Sequence, residues 1–401
     1  LEASTITSIT ENAYKDFTRS EMAAPMVEIG PSMWLLELFH GPTLSFKDFA
    51  LQVVSRMFDH VLSQKNEHVT VIGATSGDTG SAAIEACKNR GNIDLFMLHP
   101  IGRVSEIQRK QMTSVRADNI HNIAIEGTFD DCQDLVKGMF NDEIFRDDLN
   151  LSAVNSINWA RVMVQIVYYF FAVSRLNKYE RPISFIVPTG NFGNVYAGYS
   201  AIQMGLNASR LVVASNHNDI LTRFFETGDM SIMPVKASLS PSMDIQVSSN
   251  FERLLFDFYD RDGEAVSNSI KMFREEGTLP GGNKIHALAN DIFSGYRTDD
   301  EGTLLAIKQL YDDKGVLVDP HTAVGLGALK QLKNSKTLNV VLATAHPAKF
   351  PAAVKQATGI NPSLPDFLSD LYDREERFIK LKNNLGAVES YIRDVMSSKN
   401  L

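Results

Sequence analysis

Short apolar, β-rich runs recur along this chain at Val69–Ile72, Leu95–Leu98, Ile123–Ile125, Phe185–Val187, Leu211–Ala214 and Val340–Ala343, with amphipathic helical stretches between them. That alternation predicts parallel sheets of the α/β class. The pattern from Ser249 to Gly277 is helical and amphipathic, and Asp366–Ser398 reads as terminal helices with many exposed charges. Both suit scaffolding. No internal repeat or low-complexity tract interrupts the series.

Two of the runs feed glycine loops. Ile183–Val187 leads into Pro188-Thr189-Gly190-Asn191-Phe192-Gly193-Asn194 and then a helical stretch, Val195–Tyr199. Strand, glycine loop and helix start together make a phosphate cradle, because glycine lets the backbone approach an anion that free N–H groups and the helix dipole then bind. The loop lacks the lysine of nucleotide P-loops and the dinucleotide spacing. An ordinary left-handed turn before a helix uses glycines in the same way. The strand beginning at Val69 leads into Thr75-Ser76-Gly77-Asp78-Thr79-Gly80, ahead of a helix at Ser81–Ala86. The hydroxyls of Thr75, Ser76 and Thr79 beside a helix start suit a carboxylate ligand, and equally suit simple N-capping.

A third feature is Lys47, set between Phe46 and Phe49 after the loop His40-Gly41-Pro42-Thr43-Leu44-Ser45. Phenyl rings that restrict solvation of an ammonium favour the neutral amine, the form that attacks a carbonyl. Lysine stems also cover apolar surface without chemistry.

In this order the three segments resemble the threonine synthases, pyridoxal-phosphate (PLP) enzymes of fold type II. Further stretches carry the same resemblance: Gly127–Gln133, Asn155–Arg161, Ser240–Asp244, Asp319–Gly325 and Thr344–Phe350. It runs from about residue 36 to about residue 355 and fits the longer class found in many bacteria and in fungi. The fold implied is tryptophan synthase β-like, with two open, twisted, mainly parallel sheets flanked by helices. The expected division is a large PLP-binding domain at 1–60 and 180–401 and a smaller mobile domain at 61–179 that carries the substrate carboxylate loop.

The resemblance implies roles residue by residue. Lys47 is the Schiff-base lysine; Gly190, Asn191, Phe192, Gly193 and Asn194 hold the cofactor phosphate; Thr344 meets the pyridine nitrogen. Thr75, Ser76, Gly77, Asp78 and Thr79 grip the substrate carboxylate, while Asn155, Ser156 and Arg161 bind its phosphate, with Asn158 one helical turn before Arg161. Many fold type II relatives carry asparagine at the position of Asp78, and an ionised aspartate repels a carboxylate, so its role is left unassigned. The implied reaction converts O-phosphohomoserine and water to L-threonine and phosphate. A serine or threonine dehydratase, another phospho-lyase, and a non-catalytic PLP-binding relative are the alternatives.

Composition narrows the partners. Of 401 residues, 39 are Lys or Arg and 48 are Asp or Glu, a net charge of −9 with no basic run to track a phosphate backbone, so nucleic acid is not expected. Only Cys87 and Cys132 occur, both in helical stretches, which indicates neither a disulfide framework nor a cysteine metal site. None of the nine histidines has metal-ligand spacing, and His321 and His346, each beside a proline, read as loop-structuring. Val162–Val173 is too short to span a bilayer and reads as a buried helix. The expectation is a cytoplasmic enzyme, with a monomer favoured over a homodimer. The threonine synthases carry a segment ahead of the matched region, and one is expected to precede Leu1 here.

Overall fold

The structure, a computed structural model, describes residues 1–17, 22–153, 157–332 and 336–399. Its strands are β1 (Met26–Gly30), β2 (Met33–Glu37), β3 (Val69–Ala74), β4 (Ile93–Pro100), β5 (Ile120–Glu126), β6 (Leu151–Ala153), β7 (Ile183–Pro188), β8 (Arg210–Ser215), β9 (Phe293–Arg297), β10 (Leu338–Ala343) and β11 (Ile379–Lys382). They form a six-stranded sheet, β1-β2-β10-β7-β8-β9, and a five-stranded one, β11-β5-β4-β3-β6. Apart from the antiparallel β1–β2 pair, neighbours run parallel. This is the α/β architecture expected, and each of the six apolar runs lies inside a strand. Strands β4, β7 and β10 are buried at every position, which is why their inner stretches, Leu95–Leu98, Phe185–Val187 and Val340–Ala343, read as apolar runs.

Peripheral elements depart from the sequence reading. The Asp366–Ser398 region is not all helix: it contains β11 before the helix Leu385–Lys399. Half-buried Ile379 and Leu381 alternate there with exposed Lys380 and Lys382, a period of two that pairs with β5. The Ser249–Gly277 stretch is two helices, Phe251–Phe258 and Gly263–Glu276, parted where Asp260 and Arg261 adopt φ of 52° and 65°. Val162–Val173 lies in the helix Trp159–Leu176 but is buried on one side only, since Met163, Val167 and Phe170 are exposed. Among the described residues no helix is long and apolar enough to cross a membrane.

The contacts group into two compact units. The first comprises Leu1–Thr18, Gly41–Asn158 and Leu364–Leu401; the second comprises Arg19–His40 and Trp159–Ser363. These boundaries differ from the expected cuts after residues 60 and 179. The helix Lys47–Lys65 packs Leu51 and Leu62 into one core with Val69, Ala83 and Leu95, so Lys47 belongs with the five-stranded sheet. Val388 and Ile392 of the last helix join the other face of that sheet at Phe96 and Ile123. The second unit centres on Leu35, Ile186, Val212, Val324 and Val341 of and around the six-stranded sheet.

Candidate functional site

In the first unit Lys47 opens a helix, and its neighbour Asp48 fixes how. Asp48 is fully buried; its Oδ2 accepts from the Thr43 N–H at 2.8 Å and its Oδ1 from the Thr43 hydroxyl at 2.7 Å. An acid in the first helical turn also answers the positive end of the dipole. The loop before Lys47 is thereby clamped to the helix start. The Phe46 ring lies 5.7 Å from Lys47 Nζ, and the lysine side chain is 14% exposed. Phe49 is placed differently from the expectation: its ring packs on Tyr14 and Phe17, at 4.7 and 6.2 Å. Residues two apart on a helix do not share a face.

The second loop folds partly on itself. Thr75 Oγ1 is buried and accepts from the N–H groups of Gly77 at 3.0 Å and Gly80 at 2.9 Å, which shapes the turn ahead of the helix Asp78–Cys87. Ser76 is exposed and Thr79 half-buried at the same helix start. Asp78 Oδ2 lies 3.4 Å from Lys47 Nζ, so the acid that obscured the sequence reading is the lysine's ion-pair partner.

In the second unit the glycine loop connects β7 to the helix Gly193–Gln203. Ser248 Oγ donates to the Gly190 carbonyl at 2.6 Å, and the Asn250 side chain and N–H both donate to the Asn191 carbonyl at 3.1 Å. Since N–H and C=O of a trans peptide point opposite ways, the N–H groups of Asn191 and Phe192 face away from that segment. Phe192 holds a left-handed φ of 62°, which costs roughly 1–2 kcal/mol. Burying its ring against Phe225 and Phe251 at 6.0 and 5.3 Å offsets that cost.

Asn194 stands at the helix start with both ends of its amide defined. Its Oδ1 accepts from the Tyr168 hydroxyl at 2.5 Å, while the Tyr169 hydroxyl, 3.0 Å from Oδ1, donates to the Asn194 carbonyl at 2.7 Å. Among the described residues this buried Nδ2 has no hydrogen-bond partner. A buried donor left unmatched costs about 1–3 kcal/mol, so N–H groups, helix dipole and amide together call for an anion. These residues fit a cofactor phosphate.

Thr344 follows β10 directly, and its N–H donates to Thr322 Oγ1 at 3.2 Å. Thr322 in turn bonds Asp319, whose carboxylate caps the helix Pro320–Gln331 and meets His321 Nδ1 at 2.7 Å. His321 Nε2 accepts from the Ser242 N–H at 3.2 Å, so its proton sits on Nδ1. His321 is therefore structural, as its setting beside Pro320 indicated, and it ties the 240–244 segment to Thr344. Arg161 lies on the helix Trp159–Leu176, 5% exposed, its guanidinium pushed down by burial to about 10 and so still charged at neutral pH. Asn155 and Ser156 lie outside the described residues. Asn158 precedes the helix, which begins at Trp159, so it is not a helical neighbour of Arg161.

Comparison with known proteins identifies the family. The pyridoxal-phosphate dependent enzyme family matches residues 22–289, and the C-terminal region of threonine synthases matches residues 322–392. A threonine synthase from Pseudomonas aeruginosa is 50% identical over 386 residues, 96% of this chain and 82% of that one. The chain belongs to the threonine synthase family. A PLP-bound threonine synthase from Brucella melitensis superposes with a TM-score of 0.95 at 49% identity, over 98% of this chain and 84% of that one. The yeast threonine synthase gives 0.91 at 38% identity, over the same shares. The chain is thus a PLP-dependent enzyme of fold type II.

Within the glycine loop another backbone segment comes close at Gly190. A Cβ there would stand 2.5 Å from the Ser242 carbonyl oxygen, and Ser242 is itself held by His321. Gly190→Ala is expected to cost about 1–3 kcal/mol of stability and to weaken PLP binding, as overpacking against backbone does. Urea unfolding and equilibrium dialysis of PLP measure both; unchanged PLP affinity would remove the loop from the cofactor site.

Proposed function

We propose that this threonine synthase converts O-phosphohomoserine and water to L-threonine and phosphate, with PLP carried on Lys47. The observation that carries the reading is Asn194, whose buried Nδ2 and flanking loop N–H groups call for a phosphate beside the cofactor motifs. PLP, when bound, supplies the electron sink for negative charge developing next to the amino group. The chain's residues do the rest. Gly190–Asn194 would hold the cofactor phosphate, and the Thr344 hydroxyl would serve the cofactor ring as a neutral partner. Ser76, Thr79 and the start of the helix Asp78–Cys87 bind the substrate carboxylate, with Thr75 and Gly77 shaping that turn. Lys47, once its amine is free, takes the proton from Cα and relays protons at Cβ and Cγ as phosphate leaves Cγ and water adds at Cβ. Arg161, with Asn155 and Ser156, binds the departing phosphate, for which a guanidinium offers paired donors and lasting charge.

Burial pushes the Cys87 and Cys132 thiols up to about 12, so both are protonated and inert. Two buried free thiols suit a reducing, cytoplasmic location, and we place the enzyme there as a monomer. Purified protein supplied with O-phosphohomoserine is expected to release phosphate and form threonine in equal amounts. Ammonia and a 2-oxo acid in place of threonine would make it a dehydratase instead.

A further inference from the structure

Gln108 sits on the helix Glu106–Thr113, outside the motifs that carry the resemblance. Its Nε2 donates to Asp78 Oδ1 at 2.7 Å, while Asp78 Oδ2 faces Lys47 Nζ at 3.4 Å. The amide is held from behind, because Gln108 Oε1 accepts from the Ser105 hydroxyl at 2.9 Å. Ser105 also caps the helix by accepting from the Gln108 N–H at 3.4 Å. Gln108 is 8% exposed and Asp78 7%. Gly77, at φ 149°, has a conformation that L side chains rarely adopt, and a Cβ on it would stand 2.3 Å from Gln108 Oε1. The carboxylate loop is shaped around this amide. Ser105, Gln108, Asp78 and Lys47 form one chain of contacts ending at the amine.

We propose that Gln108 is a positioning residue for Lys47: by donating to one oxygen of Asp78 it keeps that carboxylate ionised and its other oxygen turned to the amine. The proposal rests on Lys47 being the PLP lysine. A hydrogen bond to the charged form of an acid favours that form, and a neutral amide does so without competing with Lys47 as a cation would. Among the described residues, several neighbouring charges on the packed elements meet other partners. Asp48 is held by Thr43, Arg56 by Gln52, and Asp59 by Asn92 on the Lys47–Lys65 helix. Arg109 and Lys110 meet Glu376, and Glu106 is exposed. His99 of β4 is pushed down to about 4 by burial and is neutral, and Glu85 pairs with Lys88 on the Asp78–Cys87 helix.

The test uses the holoenzyme. For wild type, Gln108→Met and Gln108→Glu, the pH dependence of kcat/KM for O-phosphohomoserine is measured together with a pH titration of the bound cofactor's absorbance. Without the donor, Asp78 takes up a proton more readily. The acid limb of Gln108→Met is expected to move up by about one pH unit, with the absorbance titration moving alongside it and PLP content unchanged. Gln108→Glu sets a second carboxylate against Asp78 and is expected to move the limb further; it carries the test alone if the methionine variant does not fold. Lower kcat or a lower Tm with unmoved pH limbs and an unmoved titration would show a merely structural glutamine and overturn the proposal. Borohydride mapping of the wild type separates the two levels. Label absent from Lys47 sinks the lysine assignment, whereas label present with unmoved limbs sinks only the role of Gln108.

Discussion

Lys47→Ala is expected to lower kcat by at least about 10²–10⁴-fold, the range that a positioned general acid or base supplies. The loss is expected in kcat itself, which the ion pair to Asp78, a ground-state contact, does not account for. Fold should survive, since the side chain is not part of the core that Leu51 and Leu62 build on the same helix. Borohydride reduction of wild type followed by peptide mapping should find the pyridoxyl group on Lys47, and the alanine variant should retain none there. A variant that still turns over O-phosphohomoserine at near wild-type rate, or a label on another lysine, would end the assignment of Lys47 to catalysis.

What surrounds Lys47 divides into what a sequence can display and what it cannot. The lysine motif and both glycine loops are contiguous, so their chemistry is visible within a dozen residues each, and buried parallel strands announce themselves by apolar inner runs. Asp48 was legible in principle, as an acid in the first turn of a helix, a recognised start signal. Gln108 and the Tyr168–Tyr169 pair were not. Their effect depends on hydrogen bonds to residues 25 to 30 positions away, at Asp78 and Asn194, and nothing local marks them. Edge strands failed for a different reason. β9 includes Gly295, where a Cβ would stand 2.7 Å from Thr222 Cα; close packing chose glycine there at the expense of strand propensity. Asp78 shows the limit from the other side: charge alone argued against a carboxylate in that loop, and only the position of Lys47 supplies the cation that makes it reasonable.

Arg161, proposed to bind the substrate phosphate, carries a cost to the fold. Its guanidinium is buried, and burial lowers it from its usual range to about 10. A cation whose folded-state value lies below its unfolded one destabilises the fold wherever it must stay charged, and the penalty fades as pH rises above about 10. Arg161→Met, which keeps apolar bulk without the charge, is therefore expected to leave stability unchanged or raised. Activity should go the other way. Losing a charged hydrogen bond to the substrate phosphate costs roughly 1.5–3 kcal/mol, so Arg161→Ala should reduce kcat/KM for O-phosphohomoserine by on the order of 10- to 150-fold. Arg161→Lys, a point charge in place of a paired donor, should be impaired to a lesser degree. PLP occupancy should hold in all three variants, because the loop proposed for the cofactor phosphate, Gly190–Asn194, is a separate one. Near wild-type turnover in Arg161→Ala, or loss of PLP in place of activity, would move the substrate phosphate to another part of the molecule.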